Sequence, residues 1–276
     1  NPFGSVLHSE NTADYVACMN LKPFTNDDIT EFIQHAVAEN AATRSKSSVY
    51  VDDNSSDTTL QIEAKVRALS DKALTTLPCT LAIVVRVYLR FEHLLDEAID
   101  AGHTIGRRHI MDAFLRGHLA EALEIPFAAA MAGIKEVAWT MLAEGTWQLP
   151  LRTVLSKFDG MPAPVVRHKL LPHIPRRVED DNDDSCGFSF WHKVIPEWLC
   201  ATVLLDNPER ACRIRREFTN DGESLQIIMR ALAEAMSTMP RSRINDAIDE
   251  LYPVACRVER RTPLLTNVMQ VLAAIE

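Results

Sequence analysis

The sequence predicts an all-α protein, either an irregular bundle or a degenerate helical-hairpin superhelix of about ten helices. Three observations carry that expectation. Only 9 glycines occur in 276 residues, well below the roughly 7% average usage. Apolar residues recur at helical spacing along most of the chain, and few stretches alternate apolar with polar side chains. Aromatic residues make up 7% of the chain while Ala and Leu are frequent, a balance that suits helix-on-helix packing better than a sheet.

Residues Asn1–Asn20 have weak periodicity and read as a strap or a short helix around Ala13–Asn20. From Thr25 the run T-N-D-D offers a capping side chain and early acids, and Ile29, Phe32, Ile33, Ala36 and Val37 form the apolar face of a short helix ending near Asn40. Residues 1–40 thus form an N-terminal strap and amphipathic helix. Residues 41–59, rich in Ser, Asp, Asn and Thr, are too poor in apolar side chains to offset the entropy of ordering them, and are expected to be a mobile linker. The main domain is expected to span residues 60–276.

Leu60–Leu77 places Ile62, Val66, Leu69, Ala73 and Leu77 on one face, and Pro78 then forces a break. The stretch Cys79–Gly102 has the strongest helical signal, with Ile83, Val84, Val87, Tyr88, Phe91, Leu94, Leu95, Ala98 and Ile99 apolar, and predicts one long buried helix capped by Gly102. Ile105–Leu123 carries Ile110, Phe114, His118 and Ala122 at four-residue steps. Pro126 opens a helix that stops at Gly145, whose small residues Ala128–Ala130, Ala132 and Gly133 invite close approach by a neighbour. Leu149–Phe158 predicts a further short helix.

Between Gly160 and Gly187, four prolines and the acidic run Glu179–Ser185 predict a loop, with room for a short helix at Pro164–Leu171 and a possible subdomain break at 160–187. Phe188–Leu205 resumes the helical pattern, and its internal Pro196 is expected to kink or split it. Asp206-Asn207-Pro208 reads as the start of a helix bearing Arg210, Arg213, Arg215 and Arg216. Asp221–Met239, Arg241–Val258 (with a break at Pro253 in prospect) and Pro263–Ile275 complete the set. No fixed-period repeat is present.

The net charge of −9 argues against a surface devoted to nucleic acid or anionic lipid, since binding phosphates needs a local excess of Lys and Arg. The 6 cysteines include no C-x-x-C pair, which removes support for zinc-ribbon and thioredoxin-type readings. A chain of this size needs no disulfides, so an intracellular, reducing compartment is the expectation. The longest apolar runs fall far short of the roughly 18–20 residues that span a bilayer, so no membrane insertion is expected. The start, NPFGSVLHSE, lacks a signal pattern and reads as a processed chain or an excised piece.

Motifs that carry chemistry are weak. Asp52, Asp53 and Asp57 form D-D-x-x-x-D, which resembles the aspartate-rich, magnesium-binding motifs of all-helical isoprenoid enzymes, as does the run Glu179–Asp184. Those motifs need carboxylates aligned on one helix face beside a cavity. Here one lies in a Ser-rich linker and the other follows a Pro-rich loop, so solvated acidic loops are expected. His93, Asp96, Glu97, Asp100 and His103 cluster at the end of the long helix at ligand-compatible spacings, but no E-x-x-H run accompanies them, and a polar helix end accounts for them. His103, His109 and His118 form an acid–base set only if the fold brings them together. The G-x-S-x-G, phosphate-loop and dinucleotide motifs are absent.

Four arginines, Arg210, Arg213, Arg215 and Arg216, face two glutamates, Glu209 and Glu217. They suit carboxylate or phosphate, with pairing to the acidic run at Glu179–Asp184 as the plain structural explanation. Trp191 and Trp198 stand seven apart and would share a helix face unless Pro196 breaks it; Trp139 and Trp147 complete the tryptophans. Core packing is their default, with a partner-binding hot spot as the functional alternative.

These readings converge on a non-enzymatic protein–protein interaction scaffold or adaptor within a larger assembly. Its partners would be other protein subunits, engaged through a peptide or helix seated between helices, with Arg210, Arg213, Arg215, Arg216, Trp191 and Trp198 as the contact residues. No cofactor or metal is expected. One alternative is an RNA-associated subunit of a ribonucleoprotein complex using the Arg210–Arg216 helix. The other is a magnesium-dependent all-α enzyme using Asp52, Asp53 and Asp57.

Overall fold

A computed structural model describes residues 23–45, 55–69, 71–120, 122, 125–176, 187–213, 229, 232–233, 236, 241–257 and 263–275. The fold is all-α. Its helices are α1 (Asn26–Ser45), α2 (Ser55–Ala68), α3 (Lys72–Thr76), α4 (Pro78–Arg86), α5 (Asp96–Asp100), α6 (Arg107–Ala120), α7 (Phe127–Glu144), α8 (Leu151–Leu155), α9 (Ala163–Val165), α10 (Val194–Asp206), α11 (Arg241–Arg257) and α12 (Pro263–Ile275). Two strands of two residues each, β1 (Leu149–Pro150) and β2 (Gly187–Phe188), pair antiparallel.

At the entrance to α1, the Thr25 N–H donates to the Asp28 carboxylate at 2.7 Å while the Asp28 N–H donates back to Thr25 Oγ1 at 3.2 Å, a reciprocal capping box. Ile29, Ile33 and Val37, one turn apart, are buried against α2 and α4. The helix runs five residues beyond the expected end at Asn40. The expected linker contracts accordingly, because Ala41–Ser45 belong to α1 and Ser55–Thr59 to α2, and residues 46–54 lie outside the described residues. The apolar face of α1 belongs to the same hydrophobic cluster that reaches Val271 in α12.

The segment expected as one helix over Leu60–Leu77 is two. α2 ends at Ala68, and Asp71 in the gap accepts hydrogen bonds from Arg107 Nε at 3.1 Å and Nη2 at 2.7 Å. Arg107 is buried, so this pair fixes the start of α6 against the end of α2. Pro78 takes the first position of α4, where its missing N–H costs least.

The long helix expected over Cys79–Gly102 is also corrected. α4 passes into a π-helical turn at Val87–Phe91, then a 3₁₀ turn at Glu92–Leu94, and only then α5. The break falls at Phe91, with φ −128° and ψ 16°. Its buried ring lies against Gly117 of α6 so closely that a β-carbon there would come 2.6 Å from Cδ2 and nearer still to Cγ and Cδ1. Seating that ring takes precedence over a regular helix. Gly102, at φ 70°, and Gly145, at φ 69°, close their helices as expected, the latter with Thr146 N–H donating to the Met141 carbonyl in a Schellman arrangement.

α7 packs along α10, and its Gly133 lies under the ring of Phe158, from the turn after Leu151–Leu155. The helix expected at Leu149–Phe158 shortens to α8, because Leu149 and Pro150 pair with Phe188 and Gly187 instead. The expected short helix at Pro164–Leu171 appears as α9 continued by a π turn at Val166–Leu170 and a 3₁₀ turn at Leu171–His173. α10 starts at Val194, which puts Pro196 in its first turn, where it removes no ladder bond and introduces no kink. α11 carries Pro253 within it, so the expected break is not made. Of the segment 221–239, the described residues Met229, Leu232, Ala233 and Met236 are helical. α12 has the bounds the pattern predicts. No described helix is long and apolar enough to cross a membrane.

Candidate functional site

Helix α6 has two faces. Ile110, Met111, Phe114 and Leu115 are buried in the core, while Arg108, Asp112 and Arg116 succeed one another at four-residue steps along the other side. These three residues line two neighbouring hollows. One, of about 260 Å³, lies between α6, α7 and α10, with Leu115, Phe127, Met131, Leu199 and Leu205 as its apolar lining and Lys135, Trp198, Thr202 and Asp206 around it. The other, of about 380 Å³, lies between α6 and the Leu94–Ala101 segment and includes Glu97, His103 and His109.

Charge in the first hollow is mostly matched from within. Lys135 Nζ donates to Asp206 at 2.7 Å, and Arg108 stands 3.8 Å from the Asp112 carboxylate. Burial pushes the Asp112 carboxyl above the usual carboxylate range, against the opposing pull of Arg108, Arg116, Lys135 and the indole N–H of Trp198 that donates to it. Three cations therefore surround one half-sheltered acid. Arg116 makes no ion pair among the described residues, and its guanidinium sits 5.8 Å from the centre of the Phe127 ring. Phe127 is 41% exposed, an open aromatic at the mouth of an apolar hollow.

In the second hollow, the His103 and His109 rings are 6.2 Å apart. His109 Nδ1 accepts the Gly106 N–H at 3.3 Å, which leaves Nε2 to carry the proton in the neutral ring. Burial first, then Arg108 and His103, hold the His109 pKa below the ordinary histidine value. His118 does not join this pair. It is buried edge-on to Phe114 and Phe91, at 4.6 and 5.4 Å, and its pKa falls to about 3, chiefly through burial, with Arg86, Arg90 and His173 adding to the effect. His93, Asp96, Glu97, Asp100 and His103 are all exposed, a polar helix end facing solvent. Among the described residues no group of three or more His, Cys, Asp or Glu side chains is placed to hold a metal.

No family model matches this chain. No curated protein matches it either.

Of the residues named from the sequence, the described ones Arg210, Trp191, Trp198 and Asp57 lie in different elements. Arg210 lies in a 3₁₀ turn, Pro208–Arg213, rather than the expected α-helix. Its Nη2 donates to Glu136 at 2.6 Å and its guanidinium lies 5.7 Å from the Trp139 ring, so α7 supplies it with an acid and an aromatic neighbour. The Arg213 side chain, Arg215 and Arg216 lie outside the described residues, as do Asp52, Asp53 and Glu179–Asp184. Asp57 is exposed in the first turn of α2. Trp191 and Trp198 do not share a helix face, because Trp191 precedes α10 and is 38% exposed whereas Trp198 is 2% exposed within it. Trp147 lines a separate hollow of about 520 Å³ with Phe190, His192, Lys193 and Pro196.

Asp112, Arg116, Phe127 and Lys135 carry no motif named from the sequence, and Asp206, expected at the start of the Arg-bearing helix, is instead the last residue of α10. The signal was present in Arg108-x-x-x-Asp112-x-x-x-Arg116, a polar stripe opposite the apolar stripe of α6.

Proposed function

We propose that this chain is a non-enzymatic protein–protein interaction scaffold or adaptor within a larger assembly, and that it receives a peptide or helix of a partner subunit in the groove between α6, α7 and α10. The observation that carries the reading is the open hollow of about 260 Å³ with its apolar lining, exposed Phe127 and charged rim. An apolar anchor pocket ringed by polar groups matches the anatomy of helix-in-groove and peptide recognition. The thiols of Cys79, Cys200 and Cys256 suit an intracellular, reducing setting. RNA association through Arg210 has less support, since that side chain is already engaged by Glu136 and Trp139.

The test is site-specific photo-crosslinking in cells. A benzophenone side chain at Phe127 is expected to trap a discrete protein partner that the same group at exposed Leu60, on α2, does not trap, and Met131→Arg is expected to abolish the adduct. Equal trapping at both positions, or an adduct indifferent to Met131→Arg, removes the groove from consideration. A folded chain carrying the benzophenone at Phe127 that yields no position-specific adduct does the same.

A further inference from the structure

Building on the groove reading above, we infer that the α6–α7–α10 hollow selects a partner peptide that places an acidic side chain next to an apolar one, the acid engaging Arg116 and the apolar side chain filling the hollow. Among the described residues lining this hollow, the cations are Arg108, Arg116 and Lys135 and the acids are Asp112 and Asp206. Lys135 is matched by Asp206 and Arg108 lies nearest Asp112, so Arg116 is the surplus. A guanidinium presents a planar fork of donors, and the favourable complement to an unmatched one beside an apolar cavity is a carboxylate carried by an otherwise apolar ligand.

The aromatic partner of Arg116 supports the same choice. Its guanidinium sits 5.8 Å from the centre of the Phe127 ring, which is itself a wall of the hollow, so the ring that would touch an apolar side chain lies beside the cation. Met131 and Leu205 supply the rest of the apolar contact.

The experiment is a display selection of randomised octapeptides on the full chain, run in parallel on wild type, Arg116→Gln, Arg116→Glu and Met131→Arg, each checked for folding by circular dichroism. Thr202→Arg, also lining the hollow, serves as a second blocking variant should Met131→Arg fail to fold. Wild type is expected to enrich peptides with Asp or Glu within a few residues of Leu, Ile, Met or Phe. Changing that acid to its amide, or Arg116 to Gln, is expected to weaken the best synthetic peptide roughly tenfold, with no further loss when both changes are made. Arg116→Glu is expected to shift enrichment toward Lys and Arg.

Enriched peptides with no acidic bias, or affinity unmoved by Arg116→Gln, overturn this inference while leaving the groove reading intact. Enrichment no greater than that of the blocked variant overturns both. A dimer in sedimentation that disappears in the blocked variant assigns the hollow to a second copy of this chain, and melting raised by dodecanoate with no peptide enriched assigns it to a lipid acid; either result overturns the peptide assignment.

Discussion

Replacing Gly117 with alanine sets two known effects against each other at one site. Alanine is favoured over glycine in a helix interior by about 1 kcal/mol. Against that gain, the new β-carbon would come 2.6 Å from Cδ2 of Phe91 and nearer still to Cγ, which is the root of the ring rather than a flexible tip. The ring has little room to retreat, being buried, with His118 edge-on at 5.4 Å and the Arg90 guanidinium 5.5 Å from its centre. Overpacking of this kind costs about 1–3 kcal/mol, and the crowding places it at the upper end. The net expectation is a destabilisation of about 2 kcal/mol, or roughly 4–8 °C in melting temperature for a chain of this size. Urea unfolding followed by circular dichroism measures it, with the midpoint moving and the slope unchanged. In a Phe91→Leu background the clash is relieved, and the same glycine change should become neutral or stabilising, a coupling of about 2–3 kcal/mol. A Gly117→Ala protein that melts at or above wild type, or two substitutions whose effects simply add, would refute the account of why the helix breaks at Phe91.

Three further outcomes are expected. Arg107→Ala removes the buried partner of Asp71 and should cost about 2 kcal/mol in the same urea experiment, below the full buried-pair value because Asp71 retains contact with water. His118, held neutral down to about pH 3 in the folded state, takes up a proton near its ordinary pKa when unfolded. The unfolded state therefore binds more protons between those values, and stability falls as pH drops below about 6.5, by up to about 2 kcal/mol at pH 5. Melting curves of His118→Leu against wild type between pH 7.5 and 5 should show the slope flattened in the variant. Burial and the nearby Glu197 push the Cys200 thiol well above its ordinary pKa, so iodoacetamide followed by peptide mass spectrometry should label exposed Cys256 in the folded protein and Cys200 only after denaturant is added.

Periodicity made the all-α class and most helix positions legible, since Ile29, Ile33, Val37, Ile110, Phe114 and, in α12, Val268 and Val271 all face the core as their spacing requires. Ends marked by local chemistry were readable for the same reason: Thr25, Pro78, Pro126, Gly102 and Gly145 act through their own backbone or side chain. The interruptions at Asp71 and Phe91 were not readable, because their causes, Arg107 and Gly117, lie 36 and 26 positions away. The tryptophan pair failed for a related reason. Trp191 and Trp198 have helical spacing, but the pairing of Arg176 with Phe190 holds the chain extended until just before Trp191. The hollow beside α6 needed the third dimension most of all, since Arg116, Lys135 and Asp206 come from three different helices.

The π-helical turns at Val87–Phe91 and Val166–Leu170 give the chain an unusual tolerance at two points. An α-helix advances about 100° per residue, so deleting one residue inside α7 would swing every later side chain out of the core. A wide turn already holds one residue more than a regular one. Shortening the chain by one between Val87 and Phe91 would tighten that turn to ordinary winding and leave the flanking faces in phase. Length variation among descendants of this sequence should accumulate at these two turns before it appears in regularly wound helices such as α7.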